Sequence, residues 1–432
     1  NNVGAITVLR ESTPLRRLDY TLWSSPVAGQ NLLSFSPLTM TNRFYTYNPS
    51  TNVYNSIAPN SNAFETGVGY LIRMPDDHPT TPEIWEGDFL GVPNSGTVTV
   101  TVANNTFNAI GNPYPSTIDA DDFIVDNNLT EALYFWRKIN AAAGSAYATY
   151  TLAGGVGTDT SGSNTQVPNG IIQVGQGFIA RSTSTSFVFN NEMRLGNNDN
   201  QFFRTANTEH NRVRLALNGG NGLYQEVLVN YMTGATNELD PAIDGKYIND
   251  SQTAFYTLLN EEAYVIQGRA LPFDNNDIVP LGFKTTQAGI YQISLMNADG
   301  LFTSEQQPIF IKDLDLNITH DFAEGSYSFT SELGIFDSRF ELLFNNETLS
   351  VNQPELGILD ILVFNKEGVL NIQSTQNTLK KVTLHDVNGR ILLQQQPYSN
   401  TTQISLQEFS RQMILVTIET QNGALTTKKI IH

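Results

Sequence analysis

The chain has 432 residues, 40% of them apolar and only 15% charged, with no cysteine and a net charge of −18. That length accommodates two to four domains, and 24 Phe with 17 Tyr exclude a disordered polymer. The absence of thiols excludes disulfide staples, cysteine nucleophiles and thiolate metal sites, and the acidity argues against a nucleic-acid partner.

The opening stretch "NNVGAITVLRES" reads as a strand already under way, the expectation being a fragment of a longer polypeptide. No run of 18 apolar residues is present. Helical periodicity is nearly absent. Short alternating runs dominate, among them "GTVTVTV" (96–102), "SFVFNN" (186–191), "NRVRLALNG" (211–219) and "IYQISLMN" (290–297). Each is bounded by Gly, Asn, Asp or Pro, the signature of half-buried antiparallel strands. Two short helices are expected, "DADDFIVDNN" (119–128), with Asp119 as N-cap, and "SQTAFYTLLNEE" (251–262). "GGVGTDTSGSNTQVPNG" (154–170) contains too little apolar material for a core and reads as a surface loop. The expected fold is all-β: tandem β-sandwich or jelly-roll-like domains over 1–205 and 206–348, a polar linker at 349–357, and a small immunoglobulin-like β-sandwich over 358–432.

The last unit differs in charge. Residues 360–432 hold seven Lys and Arg against five Asp and Glu, whereas the preceding chain holds 17 against 37. Its strands follow from "LDILVFNKEGVLNIQS", from the "NG" hairpin signal of "KKVTLHDVNGRILLQQQ", from "TTQISLQEF" and from "QMILVTIETQNGALTTKKIIH". Six or seven strands in roughly 70 residues make a small sandwich.

This tail resembles the C-terminal sorting domain of the Bacteroidota type IX secretion system. The resemblance rests on "VTLHDVNGRILL", with Asp386, Asn388, Gly389 and Arg390, then "MILVTIETQNG", then "TKKIIH" with Lys428 and Lys429. Where the common form opens with a Pro-Asn-Pro motif, this chain has "LDILVFNKEGVLNIQS", like the variant class found in flavobacteria. The upstream stretches "DYTLWSSPVAGQ" (19–30), "GNPYPSTIDADDF" (111–123), "ALYFW" (132–136), "GIIQVGQGFIA" (170–180), "VIQGRALPFDNNDIVPLGF" and "DSRFELLF" resemble a recurrent module of flavobacterial surface proteins. The resemblance implies a cargo protein displayed at or released from the cell surface. Its partners would be an outer-membrane shuttle protein and the translocon, reached through residues 358–432. Gly389 permits a tight turn and Arg390 offers a planar donor fork beside it; pairing with a neighbouring carboxylate is the plainer role for that arginine.

No catalytic constellation is visible, so the expectation is a non-enzymatic protein, adhesin-like or structural. The alternative is a carbohydrate-binding accessory part of a larger secreted polysaccharide-degrading enzyme. His78, His210, His320, His385 and His432 show no metal-ligand spacing and read as surface residues. No cofactor is expected. Asp119, Asp121 and Asp122 are weak calcium candidates, while Asp274, Asp277, Asp313 and Asp315 read as solvated loop acids. Tyr114, held between two prolines, and Trp136 are candidates for stacking on a surface glycan. Core packing is the other reading of both rings.

Overall fold

The computed structural model describes residues 3–136, 146–157, 167–196, 210–220, 223–345, 361–366, 368–374, 377–386, 389–410, 412–421 and 425–431. It is all-β, built of several sheets with a few helical turns. Contacts divide it into two compact units, Asn1–Asn346 and Glu347–His432. The linker expected at 349–357 lies outside the described residues. No helix among the described residues is long and apolar enough to cross a membrane.

In the first unit, residues before 200 form small sheets around two main cores. One sheet of four strands has the order Tyr20–Trp23, Tyr70–Arg73, Phe44–Asn48, Val53–Ser56. Its core gathers Trp23, Phe35, Phe44, Phe64, Tyr70 and Phe89, with Phe35 stacked on Phe89 at a 4.4 Å centroid distance. A five-stranded sheet runs Gly154–Val156, Tyr147–Thr151, Leu133–Trp136, Gly177–Arg181, Phe107–Gly111. Alternation along Leu133–Trp136 divides it cleanly. Leu133 and Phe135 enter the core of Phe123, Phe178 and Phe189, while Tyr134 and Trp136 enter a second cluster with Leu22 and Tyr54.

Residues 211–343 form one sheet of eleven strands. It curls until its two edge strands, Ile318–Asp321 and Tyr327–Ser331, approach each other: the rings of His320 and Tyr327 lie 5.5 Å apart. One core fills the interior, with Val213, Val229, Phe255, Phe283, Phe329 and Phe340 among its members. Each buried Phe or Val removes apolar surface worth about 1.5–3 kcal/mol.

The stretches expected as separate domains, 1–205 and 206–348, pack together inside this unit. Ala153 and Val156 pack on Leu228 and Ile266. Around them Thr151 Oγ1 donates to Ile243 O at 2.7 Å, Asn230 Nδ2 donates to Ala153 O at 3.0 Å, and Gly157 N–H donates to the buried Glu226 Oε2 at 2.8 Å. Glu226 also receives Arg214 Nη1 at 3.1 Å.

One expected helix forms and one does not. Ala120–Asp126 is helical, and Asp119 caps it, its Oδ1 accepting from Asp121 N at 2.9 Å and Asp122 N at 3.2 Å. In contrast, the stretch 251–262 contains the strand Ala254–Leu259, paired through a two-residue turn with Glu262–Arg269. Ala254, Phe255 and Tyr256 are all buried because both faces of this strand are covered, so no period-2 alternation appears. Asn260 and Glu261 take φ of 52° and 66°, the turn geometry that closes a tight hairpin.

Among the described residues the second unit is a seven-stranded sandwich. Ile361–Lys366, Val369–Ser374 and Thr401–Ser405 form one sheet; Ile391–Gln395, Leu379–His385, Met413–Thr420 and Leu425–Ile431 form the other. Leu370, Ile372, Leu384, Ile404, Val416 and Ile418 pack between them.

Candidate functional site

In the second unit the hairpin expected around "NG" is present, but its loop is five residues long, with His385 pairing Ile391 across a register shift. Asp386 is the reason. Its N–H donates to Arg390 O at 3.0 Å, its C=O accepts from Gly389 N at 3.0 Å, and its Oδ1 accepts from Arg390 N at 2.9 Å. Three bonds from one buried residue make a wider loop as well satisfied as a two-residue turn. Gly389 sits at φ 79°, a left-handed conformation that favours glycine. Asn388 lies outside the described residues. Arg390 Nε reaches Asp386 Oδ2 at 3.2 Å, yet its side chain is 77% exposed, and its two terminal nitrogens make no hydrogen bond among the described residues.

Strand register places Lys428 and Lys429 at the same end of the sheet. The row His385–Leu415–Lys429 crosses three neighbouring strands, as does Leu384–Val416–Lys428. Two strand spacings, about 10 Å, thus separate the end of the Asp386–Arg390 loop from the two lysines. They belong to opposite faces of an edge strand. Lys428 pairs in register with buried Val416 but is itself exposed, and a charge on an edge strand opposes strand addition by another chain.

In the first unit the quoted sequence stretches meet. Asn112 Nδ2 donates to Ser116 O at 2.7 Å and to Gln173 O at 3.2 Å, its Oδ1 accepts from Tyr114 N at 2.9 Å, and its own N–H donates to Gln176 O at 3.1 Å. Ser24 N–H donates to Gly175 O at 2.9 Å. "WSSP", "GNPYPS" and "QVGQG" are therefore one interlocked junction, tied through its backbone and the Asn112 amide.

Tyr114 is buried there, so of the two readings of this ring core packing holds and presentation to a glycan does not. Its hydroxyl donates to Gly96 O at 2.6 Å and the Arg194 guanidinium lies 5.2 Å from its centroid. Burial pushes its phenol up to about 12, with Arg194 pulling the other way. The flanking prolines fix the loop, but they turn the ring inward, where its area is worth more. Trp136 is half-buried in a different cluster, edge-on to Tyr54 at 5.9 Å and Tyr147 at 5.3 Å. The two rings therefore form no common face.

The acidic candidates are engaged. Asp119 is the cap, and Asp121 Oδ1 accepts from Tyr150 Oη at 2.8 Å; Asp122 lies beside them in the first turn. Among the described residues no group of three or more His, Asp or Glu is placed to hold a metal. Asp274 and Asp315 are exposed loop acids as expected, but Asp277 and Asp313 are not. Asp277 accepts from Arg269 Nε at 2.8 Å and Tyr231 Oη at 2.7 Å, and Asp313 is fully buried against Arg339. His78, expected at the surface, is buried with Nε2 2.8 Å from Leu15 O.

Beside the junction lies a cavity of about 520 Å³, between the helix Ala120–Asp126 and the segment 167–176. Phe135, Tyr150, Asn169, Gln173 and Gln176 line it. The glutamines belong to a quoted stretch, but nothing in a lone "QVGQG" separates a lining residue from a turn residue.

Residues 1–344 match the family model described as a domain of unknown function, DUF8693, and the chain belongs to that family. Residues 349–432 match a second domain of unknown function, DUF8694. No curated protein matches the chain.

Proposed function

We propose that this member of the DUF8693 family is cargo of a type IX secretion system, carried across the outer membrane and displayed at or released from the cell surface. Residues 358–432 would be the sorting domain, read by the outer-membrane shuttle protein and the translocon. The first unit would be the displayed part, an adhesive or structural β-module that works by recognition and not by catalysis. One observation carries the reading. The loop with the family-like residues is a built feature, in which buried Asp386 holds the backbone and presents Arg390 to solvent at one end of a compact sandwich. A receptor that must accept many cargos needs such a rigid, outward-facing donor fork. Lys428 and Lys429 add positive charge two strands away.

The test is a fusion of residues 351–432 to a fluorescent protein carrying an export signal, expressed in a flavobacterial host. Fluorescence at the surface or in the medium, lost when the translocon is deleted, is the expected result. Fluorescence retained in the periplasm would overturn the reading.

A further inference from the structure

We infer that the cavity beside the helix Ala120–Asp126 binds a neutral, hydroxyl-rich ligand, the end of a glycan chain. This site stands apart from the secretion reading, since it is built wholly from the first unit.

The chemistry of the wall selects the ligand. Its volume, about 520 Å³, falls within the range of small-molecule sites, roughly 300–1,000 Å³. Val167, Pro168 and Ile171, beside the largely buried rings of Phe135 and Tyr150, supply apolar surface, and three primary amides, Asn169, Gln173 and Gln176, supply the polar groups. None of the described lining residues is charged, so an ionic ligand would lose hydration without gaining a counter-charge. A hydrocarbon chain would leave the amides facing apolar matter, which is also costly. A sugar satisfies both surfaces: its C–H groups lie on the apolar wall, and each hydroxyl both donates and accepts, as an amide does.

The amides are available for this. Gln176 Oε1 accepts from Gln173 N at 2.8 Å and Asn169 Oδ1 from Ile171 N at 3.2 Å. Gln176 Nε2, Asn169 Nδ2 and the whole side-chain amide of Gln173 make no hydrogen bond among the described residues. The frame around them is fixed in advance. Tyr150 Oη is tied to Asp121, Ala120 N–H donates to Gly170 O at 2.8 Å, and Gly170 holds φ 89° where a Cβ would come within 2.6 Å of Tyr150 Oη. A wall set before binding spares the ligand the cost of ordering it.

The test uses the full chain and calorimetric titration with a panel of short gluco-, manno- and galacto-oligosaccharides, with oligogalacturonate as the charged control. At least one neutral member is expected to bind, and Gln173→Leu to weaken it about tenfold, the loss of one or two hydrogen bonds, with an unchanged melting temperature. Should Gln173→Leu fail to fold, Gln173→Met carries the same test, since it removes the amide and keeps the length of the side chain. Absence of binding across the neutral panel, preference for oligogalacturonate, or wild-type affinity in the folded variant would each overturn the inference.

Discussion

Asp313 and Arg339 close the seam of the eleven-stranded sheet, Arg339 Nη2 lying 2.9 Å from Asp313 Oδ2 with both side chains buried. The opposite edge strand joins them: Tyr327 Oη donates to Asp313 Oδ2 at 3.0 Å, and Arg339 Nη1 donates to Thr330 O at 2.9 Å. The guanidinium also lies 4.7 Å from the Phe329 centroid and 5.0 Å from that of Phe340. A carboxylate from one side of the gap and an arginine bonded to both sides thus replace the ladder bonds that full closure would have supplied.

Removing one partner of this pair strands a buried charge, which costs about 3–5 kcal/mol. Arg339→Leu is expected to lower the unfolding free energy of the first unit by that amount in urea titration at pH 7. The double variant Asp313→Leu/Arg339→Leu is expected to lose less than Arg339→Leu alone, because no charge is left unpaired. Burial works to raise the Asp313 carboxyl, but bonds from Arg339, Leu316 N–H and Tyr327 outweigh it and hold it below the usual carboxylate range. Its contribution is therefore present above the unfolded value near 3.9 and disappears as pH falls through the lower folded value. An Arg339→Leu protein as stable as wild type would show that the seam is held by packing alone.

Asp244 behaves in the opposite sense. Burial pushes its carboxyl up to about 6, although Asp240 N–H and Gly268 N–H donate to it at 2.8 and 2.7 Å; the Asp240 charge adds to the rise and Arg269 opposes it. A raised folded value means a contribution complete below about pH 4 and lost as pH climbs through 6. About two units correspond to about 2–3 kcal/mol. The stability difference between wild type and Asp244→Asn is expected to change by that amount between pH 4 and 7, and to stay flat above pH 7. A difference constant over the whole range would mean that Asp244 titrates normally.

How much of this could be read from the chain alone varies with the range of the interactions. The strands of 358–432 and the Asp119 cap were legible because alternation and capping are local signals. The strand Ala254–Leu259 was not: four consecutive buried residues, Ala254, Phe255, Tyr256 and Thr257, carry no alternation, and "TAFYTLLNEE" then resembles a helix. Asp313 and Arg339 stand 26 positions apart, Asp121 and Tyr150 29, and Asn112 and Gln173 61. Nothing local to "KDLDLN" or "IDADDF" distinguishes a buried carboxylate from a solvated one; only the register of distant strands does. Both the seam and the cavity are assembled from such pairs.

Tyr114 shows the same point and can be tested. As a buried ring bonded to Gly96 O, Tyr114→Phe is expected to cost about 1 kcal/mol and Tyr114→Ala about 3–5 kcal/mol. Neither figure involves a ligand, so Tyr114→Phe should leave oligosaccharide titration unchanged. Loss of binding in a fully folded Tyr114→Phe protein would return the ring to the candidate site.

The Asp386–Arg390 loop separates fold from recognition within two neighbouring residues. An added Cβ at Gly389 meets no atom within 4 Å, so the cost of Gly389→Ala is that of the left-handed backbone, about 1–2 kcal/mol. Arg390→Ala removes an exposed side chain whose ion pair with Asp386 is worth less than about 1 kcal/mol, and the backbone bonds of Asp386 persist without it. Thermal melting should therefore rank Gly389→Ala as the more damaging change. Surface display of the fluorescent fusion should rank them in reverse, with Arg390→Ala retained in the periplasm and Gly389→Ala still exported at growth temperatures well below its melting point. Display of Arg390→Ala at the wild-type level would remove the arginine from the recognition surface and leave Asp386 with a purely structural part in the turn.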